Sequence, residues 1–183
     1  MLIFIIILYV GLAGYGGIEN KMEIKVVRSV RRKRTVSACV VNDTLLVRAP
    51  MAISGERLEK IVNSLKSRFE RQKTKEELNR KEDLAQVAAR LNEKYFNNQL
   101  KINSVEYVSN QTSRLGCCNY RSANIRISHR IGAMPTWVRD YVLIHEMSHL
   151  IEPNHSKAFW NIVSRYRLAE RARGFIMGCR NEI

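Results

Sequence analysis

Cysteine is scarce in this sequence, and no cysteines are spaced to form a disulfide framework. The chain has four, of which Cys117 and Cys118 are adjacent and the other two are isolated. Adjacent cysteines have poor geometry for bridging each other, and there is no CxxC pair. These features argue against a small disulfide-stapled domain and indicate reduced thiols in a cytosolic protein.

Acidic residues are also few, with 17 Asp and Glu against 31 Lys and Arg, which gives a formal net charge of +14. This surplus predicts an anionic partner, such as a nucleotide, nucleic acid or membrane surface. However, no zinc ribbon or other nucleic-acid module is recognisable. Internal repeats and low-complexity tracts are absent, and the length does not suit two large domains.

Charge is missing altogether from the first 18 residues, which form an uninterrupted apolar run. The run approaches the roughly 20 residues that cross a membrane, but it lacks the basic n-region of a secretory signal. We expect residues 1–21 to be a membrane anchor, a cleaved signal or a non-native extension upstream of a start at Met22. The basic region that follows an anchor would stay inside. The predicted location is therefore cytoplasmic, with membrane tethering only through residues 1–21.

Residues 22–73 predict a β-meander followed by a helix. β-Branched residues flank a turn-favouring Asn-Asp pair at 42–43, which suggests antiparallel strands. Ser54 can cap a helix over residues 55–71. The charged run 70–83 has no apolar stripe and predicts an exposed helical linker or a helix end.

Residues 74–183 predict two helices around a sheet, and a final helix. Helical periodicity that starts at Leu84 closes at the sequence FNNQ. An almost wholly apolar helix is predicted over residues 136–152, where Pro153 stops it, and a last helix begins at 154–156. Three short strand-like runs predict an antiparallel sheet: 102–109, 114–120 and 123–128.

The stretch HEMSHLIEPNH, residues 145–155, carries the chemistry. His145 and His149 are four residues apart, so both can present a ring nitrogen to one ion from the same helix face. Glu146 lies beside this face rather than on it. That position suits a carboxylate that takes a proton from a metal-activated water without binding the metal.

A catalytic zinc needs three protein ligands, so a third must be found. Glu152 shares the helix face, but a rise of 1.5 Å per residue places it about 10 Å from His145 along the axis. His155 can return to the ion because Pro153 ends the helix. A buried helix with core histidines is the alternative without a metal. We predict one zinc per chain, bound by three ligands: His145, His149 and His155. Glu152 is a weaker alternative to His155 as the third ligand.

Hydrolysis of a peptide bond, with Glu146 as general base and a peptide or protein as substrate, is the predicted reaction. Hydrolysis of a nucleotide phosphoanhydride is the alternative enzyme activity. A nucleic-acid-associated module with a structural metal is disfavoured because no fourth ligand is evident. Spacing does not choose the oxyanion-stabilising residue among Arg114, Tyr120, Arg121, Tyr141 and Tyr166.

Three segments together resemble the YgjP-type zinc metallopeptidase family, which is related to the SprT-like proteases: RRKRTVS…LLVRAP, RLGCCNYRSANIRIS and DYVLIHEMSHLIEPNHSKAFW. The resemblance covers residues 22–167. It implies an α+β, zincin-like metallopeptidase fold in which an antiparallel sheet packs on the HExxH active-site helix. It further implies that residues 74–183 are the catalytic region, packed with 22–73 as one unit, with Glu146 catalytic and zinc on His145, His149 and His155.

The chain departs from that family where it usually reads Ser-Arg-Trp-Gly-Ser-Cys. Leu115 replaces the tryptophan and Cys117 the serine, while Cys118 matches the family cysteine. Glu152 stands where the metzincins, which share the spacing of the third histidine, carry glycine. The changes at 115 and 117 concern the substrate rim and leave the metal site intact.

Several other features have both functional and structural interpretations. A substrate strand could add to ANIRIS (123–128) or to the run before it. Phe159 and Trp160 are expected in the core, and the paired cysteines are expected as small buried hydrophobes rather than ligands. The basic cluster at 28–34 either contacts phosphates, as in a nucleic-acid-associated SprT-like protease, or forms a solvated sheet face.

Overall fold

The computed structural model describes residues 22–42 and 44–180. The predicted apolar extension, residues 1–21, lies outside the described residues. So does Asp43, the second residue of the predicted turn. Two compact units are present, one up to Phe69 and one from Glu70 onward. The predicted packing of residues 22–73 with 74–183 as one unit stays a prediction.

The first unit contains a three-stranded sheet of β1 (Glu23–Ser29), β2 (Ser37–Val41) and β3 (Thr44–Pro50). Its order is β1-β3-β2, with β1 parallel and β2 antiparallel to β3. The predicted meander is therefore wrong, although its strands exist. The central position goes to β3 because Leu45, Val47 and Ala49 are fully buried on one face.

Helix α1 (Gly55–Lys81) is one continuous element of 27 residues, longer than the predicted helix over 55–71. Its start is as predicted, because the Arg57 N–H donates to Ser54 Oγ at 3.4 Å. The charged run continues the helix because Glu, Lys, Arg and Gln are good helix formers. The boundary between the two units falls inside α1.

The second unit follows the predicted order of helices and strands closely. Helix α2 (Leu84–Phe96) is capped by Asp83 and closed by Asn97 in the left-handed conformation. Strands β4 (Ser104–Val108), β5 (Gly116–Asn119) and β6 (Asn124–Ser128) coincide with the three predicted runs. A short 3-10 helix (His129–Ala133) leads to α3 (Thr136–Ser148), α4 (Lys157–Val163) and α5 (Ala169–Arg180).

The second sheet is mixed, with order β4-β6-β5, so the predicted antiparallel sheet is wrong for one of its two pairs. Strands β5 and β6 form an antiparallel hairpin, whereas β4 lies parallel to β6 on the other side. Helix α3 contacts β5, β6, α2, α4 and α5, and forms the centre of this unit. Its core includes Ile125 and Ile127 of β6, and Leu143, Ile144 and Met147 of α3.

Two predicted helix ends differ from the structure. Helix α3 ends at Ser148 rather than at 152. Helix α4 starts where predicted, with Ser156 accepting from the Phe159 N–H at 3.3 Å, but it ends at Val163, and α5 was not predicted. Among the residues that the structure describes, no helix has the length and apolar character needed to cross a membrane.

Candidate metal centre

Three histidine rings converge at the end of α3. His145 lies in the last turn of the helix, His149 is the residue that caps it, and His155 follows in the loop before α4. One nitrogen from each ring lies within 4.8 Å of the other two. The closest pair is Nε2 of His145 and Nε2 of His155, at 3.1 Å. The structure thus brings together the three histidines that the sequence nominated.

A tightened last turn returns the chain to His145. After Ser148 the backbone N–H groups of Leu150 and Ile151 donate to carbonyls three residues back, each at 3.0 Å. This 3-10 geometry ends the α-helix before Pro153, although the apolar sequence continues. The predicted helix over 136–152 is therefore too long, and the chain turns earlier than Pro153 alone required.

Glu152 contributes its backbone rather than its carboxylate. Its carboxylate is not part of the group of convergent ligand atoms. Instead, its main-chain carbonyl accepts a hydrogen bond from Nδ1 of His149 at 3.2 Å. Because a carbonyl can only accept, Nδ1 carries the proton, and Nε2 of His149 keeps a free lone pair.

Two aromatic side chains on α4 support the histidine rings. Phe159 stacks on His149, with ring centroids 4.5 Å apart and planes at 26°. Trp160 stacks on His155 at 5.6 Å and 28°, and the Arg173 guanidinium lies 4.9 Å from the centroid of the Trp160 ring. Phe159 is fully buried, as predicted for a core residue. Both aromatics restrict the rotation of the rings that they contact.

Burial favours the neutral form of His145 and His149. Desolvation, together with the neighbouring charges of His149 and His155, lowers the pKa of His145 to about 3. Desolvation also lowers the pKa of His149. Neutral imidazole is the form that binds a metal, and three imidazoles, with no fourth ligand among the described residues, suit zinc with one position open. The donor set therefore fits the predicted ion.

Glu146 lies against β5, and only 7% of it is exposed. Burial raises the pKa of its carboxyl to about 7, although a hydrogen bond from the backbone of Cys118 and the charge of Arg114 both act to lower it. A carboxyl with a pKa near neutrality can both accept and return a proton.

Gly116 is the functional residue that sequence reasoning missed. A Cβ atom built on it would lie 2.5 Å from Oε1 of Glu146, so any larger residue would displace the carboxylate. Glycine inside a short strand is the signal that could have identified it, because such a glycine often marks a close approach.

The candidate oxyanion-stabilising residues are in different settings. Tyr166 donates its hydroxyl to the Trp137 carbonyl at 3.0 Å and is engaged in the core. Tyr120 is 51% exposed and lies beside Arg121. Nearer to the site are two others: Tyr141, whose ring centroid lies 6.2 Å from that of His145, and Arg114, whose charge acts on Glu146.

The paired cysteines are half-buried and contribute no atom to the group of metal-binding candidates. Burial raises the pKa of the Cys118 thiol to about 12, so it stays protonated. Both observations agree with the expectation of small hydrophobic side chains.

Comparison with known proteins gave one match. The family described as YgjP-like, metallopeptidase domain, matches residues 34–168. These residues include all three histidines, Glu146 and the whole β4-β6-β5 sheet. No curated protein and no solved structure matched the chain.

Proposed function

The chain belongs to the YgjP-like metallopeptidase family, and we propose that it is a zinc-dependent peptidase of zincin-like fold with Glu146 as its general base. One observation carries the proposal. Three histidine nitrogens within 4.8 Å of one another lie next in sequence to a buried carboxyl whose pKa is about 7. One short segment thereby offers both the metal ligands and the base that hydrolysis needs.

His145, His149 and His155 would hold the zinc. Bound there, zinc supplies a Lewis acid that polarises a water molecule and a substrate carbonyl. The hydrogen bond from His149 Nδ1 to the Glu152 carbonyl and the stacking of Phe159 orient the His149 ring, and the stacking of Trp160 orients the His155 ring.

Glu146 takes the proton of the attacking water and returns it to the amine that leaves. Its carboxylate is held by the backbone of Cys118 and occupies the space left by Gly116. The low exposure of this carboxyl makes its ionised form less favourable, so the proton can be transferred in either direction near neutral pH.

The free edge of β5 is the place where we expect an extended substrate. Strand β6, which contains ANIRIS, pairs with β4 on one side and β5 on the other, so it has no free edge. Strand β5 pairs only with β6 among the described strands, and its Gly116 lies against Glu146. A peptide added to β5 would bring its backbone past the base.

An anionic partner is a separate proposal with its own support. Arg31, Lys33 and Arg34 are exposed in the segment between β1 and β2, outside both strands. The alternative that the cluster at 28–34 forms a solvated sheet face does not hold beyond Ser29, where β1 ends. Such a loop can follow a phosphate backbone more freely than a flat sheet face can.

The test is hydrolysis by zinc-loaded protein of peptides, unfolded proteins and nucleotides, with Glu146→Gln as control. We expect cleavage of peptides, about one zinc per chain in both proteins, and loss of turnover in the variant. Equal activity of the variant would rule out the proposed base. Hydrolysis of nucleotides alone would replace the proposed function with phosphoanhydride hydrolysis.

A further inference from the structure

A polar cavity of about 250 Å³ lies on the second unit, beside β5. It is formed by the segment that precedes β5 and by the outer face of the sheet. Its cationic side chains are Arg114 and Arg126, and no carboxylate of the described part of the chain lines it. The other lining residues are Asn110, Gln111, Thr112, Ser113 and Cys117.

The two guanidinium groups are available to a ligand. Within residues 22–42 and 44–180, no ion pair or hydrogen bond engages the side chain of Arg114 or of Arg126. The neighbouring Arg130, by contrast, donates to the Thr112 carbonyl at 2.7 Å. Gln111 in the wall has its Oε1 buried without a hydrogen-bond partner. Two unpaired cations suit a ligand that carries a negative charge, and the Gln111 oxygen can accept a hydrogen bond from an N–H of the same ligand.

Strand register connects this cavity to the proposed substrate edge. Cys117 is paired with Arg126, which is exposed between the buried Ile125 and Ile127, so both point to the outer face. Gly116 points to the opposite face, where Glu146 lies. A peptide strand added to β5 would alternate in the same way. The residue opposite Cys117 would then face the cavity while its neighbour faces the base.

We propose that this cavity is a specificity subsite for an acidic residue, held by Arg114 and Arg126, next to the residue that faces Glu146. The subsite rests on the proposed peptidase function and on addition of the substrate to β5. The chemistry recognised is an anionic group, either the carboxylate of Asp or Glu or the phosphate of a phosphorylated side chain. Arg126 is the cleaner probe, because the charge of Arg114 also acts on Glu146.

The test compares sets of quenched fluorescent peptides that differ at one position at a time, with Glu, Gln, phosphoserine or serine. We expect zinc-loaded protein to prefer Glu over Gln at one position by about tenfold in kcat/KM, the scale of one charge-assisted hydrogen bond. A larger preference for phosphoserine over serine than for Glu over Gln would identify phosphate as the better ligand. No preference at any position would overturn the subsite.

Arg126→Gln should lose the preference, measured within the variant as the ratio of kcat/KM for the Glu and Gln peptides, and Arg126→Glu should favour Lys at that position. Arg167→Gln, which removes an exposed arginine outside the cavity, should keep the wild-type preference. A preference that survives in both Arg126 variants would overturn the assignment.

A binding measurement separates this inference from the peptidase proposal. Fluorescence anisotropy of the Glu and Gln peptides with Glu146→Gln protein needs no turnover. If no peptide is cleaved, the proposed function fails, but tighter binding of the Glu peptide that is lost on Arg126→Gln still supports an anion subsite. Equal binding of the two peptides overturns the subsite. It is also overturned if the protein cleaves only nucleotides and nucleotides displace the Glu peptide.

Discussion

Gly116 on β5 and Glu146 on α3 approach so closely that a Cβ atom on the glycine would lie 2.5 Å from the carboxylate oxygen. Gly116→Ala must therefore push the Glu146 side chain out of its place. We expect kcat/KM to fall about 100-fold, because a displacement of about 1 Å can cost that much. Zinc content should stay unchanged, and the free energy of unfolding should fall by about 1 kcal/mol. Kinetic assays and metal analysis on the same preparation check this.

Gly174→Ala is the matched control, because nothing lies within 4 Å of the Cβ that it adds on α5. Alanine favours the helix, so this variant should be as stable as the wild type or slightly more stable. If both variants keep full activity, Gly116 does not create the space that Glu146 uses.

Removal of the His155 ring should weaken zinc binding far more than removal of the Glu152 carboxylate. His155→Ala deletes one of three convergent nitrogens, and we expect a loss of roughly 100-fold or more, since even supporting contacts change affinity by 10- to 100-fold. Glu152→Ala keeps the main-chain carbonyl that His149 contacts, so it should bind zinc as the wild type does. Competition with a chelator measures both affinities. The reverse order would transfer the ligand role to Glu152.

Local spacing was enough to predict most of the second unit. The i, i+4 histidines, the strand runs and the start of the helix near Ser156 depend on interactions within a few residues, and the structure shows these elements where they were expected. The early end of α3 was not predictable in this way. Leu150 and Ile151 continue the apolar pattern of the helix, and only the observed hydrogen bonds show that the turn has tightened.

Relationships between distant segments could not be predicted from local patterns. Alternating apolar residues predicted the strands themselves. They did not predict that β1 pairs in parallel with β3, or β4 with β6, because pairing depends on which strand the rest of the core covers. The contact of Gly116 with Glu146 joins residues that are far apart in the chain. Its sequence signal is one glycine in a strand, which does not name the partner.

The exposed loop between β1 and β2 predicts salt-dependent binding of a polyanion. Replacement of Arg31, Lys33 and Arg34 by glutamine removes three charges that no described acidic side chain pairs. We expect the affinity for a short DNA or RNA to fall, and the slope of log K against log salt to decrease by up to about 3. Anisotropy titrations at several salt concentrations measure the slope. Binding that does not respond to salt would argue against an electrostatic partner.

His129 should make the second unit less stable in acid. Burial lowers the pKa of this histidine below its usual 6.5, and the charges of Arg71 and Arg130 act in the same direction. The unfolded chain therefore takes up a proton as the pH falls below 6.5, while the folded chain resists it, so stability declines. His129→Gln should lose less stability than the wild type between about pH 7.5 and 5. Both are measured with the same chelator present, so that the other histidines contribute equally. Parallel pH profiles would show that His129 does not titrate differently on unfolding.

Asn79, in the charged run of α1, should stabilise the second unit through the backbone of β4. Its side chain donates to the Tyr107 carbonyl at 3.2 Å and accepts from the Tyr107 N–H at 3.0 Å. Asn79→Ala leaves both partly buried groups unpaired, at a cost of about 1–3 kcal/mol.

Urea unfolding followed by tryptophan fluorescence reports on this unit, because Trp137 and Trp160 are the only tryptophans of the chain. Asn63→Ala makes the same change at an exposed position of α1 and should not lower the midpoint, since alanine is the better helix former. Equal midpoints for the two variants would mean that the paired hydrogen bonds of Asn79 add nothing to stability.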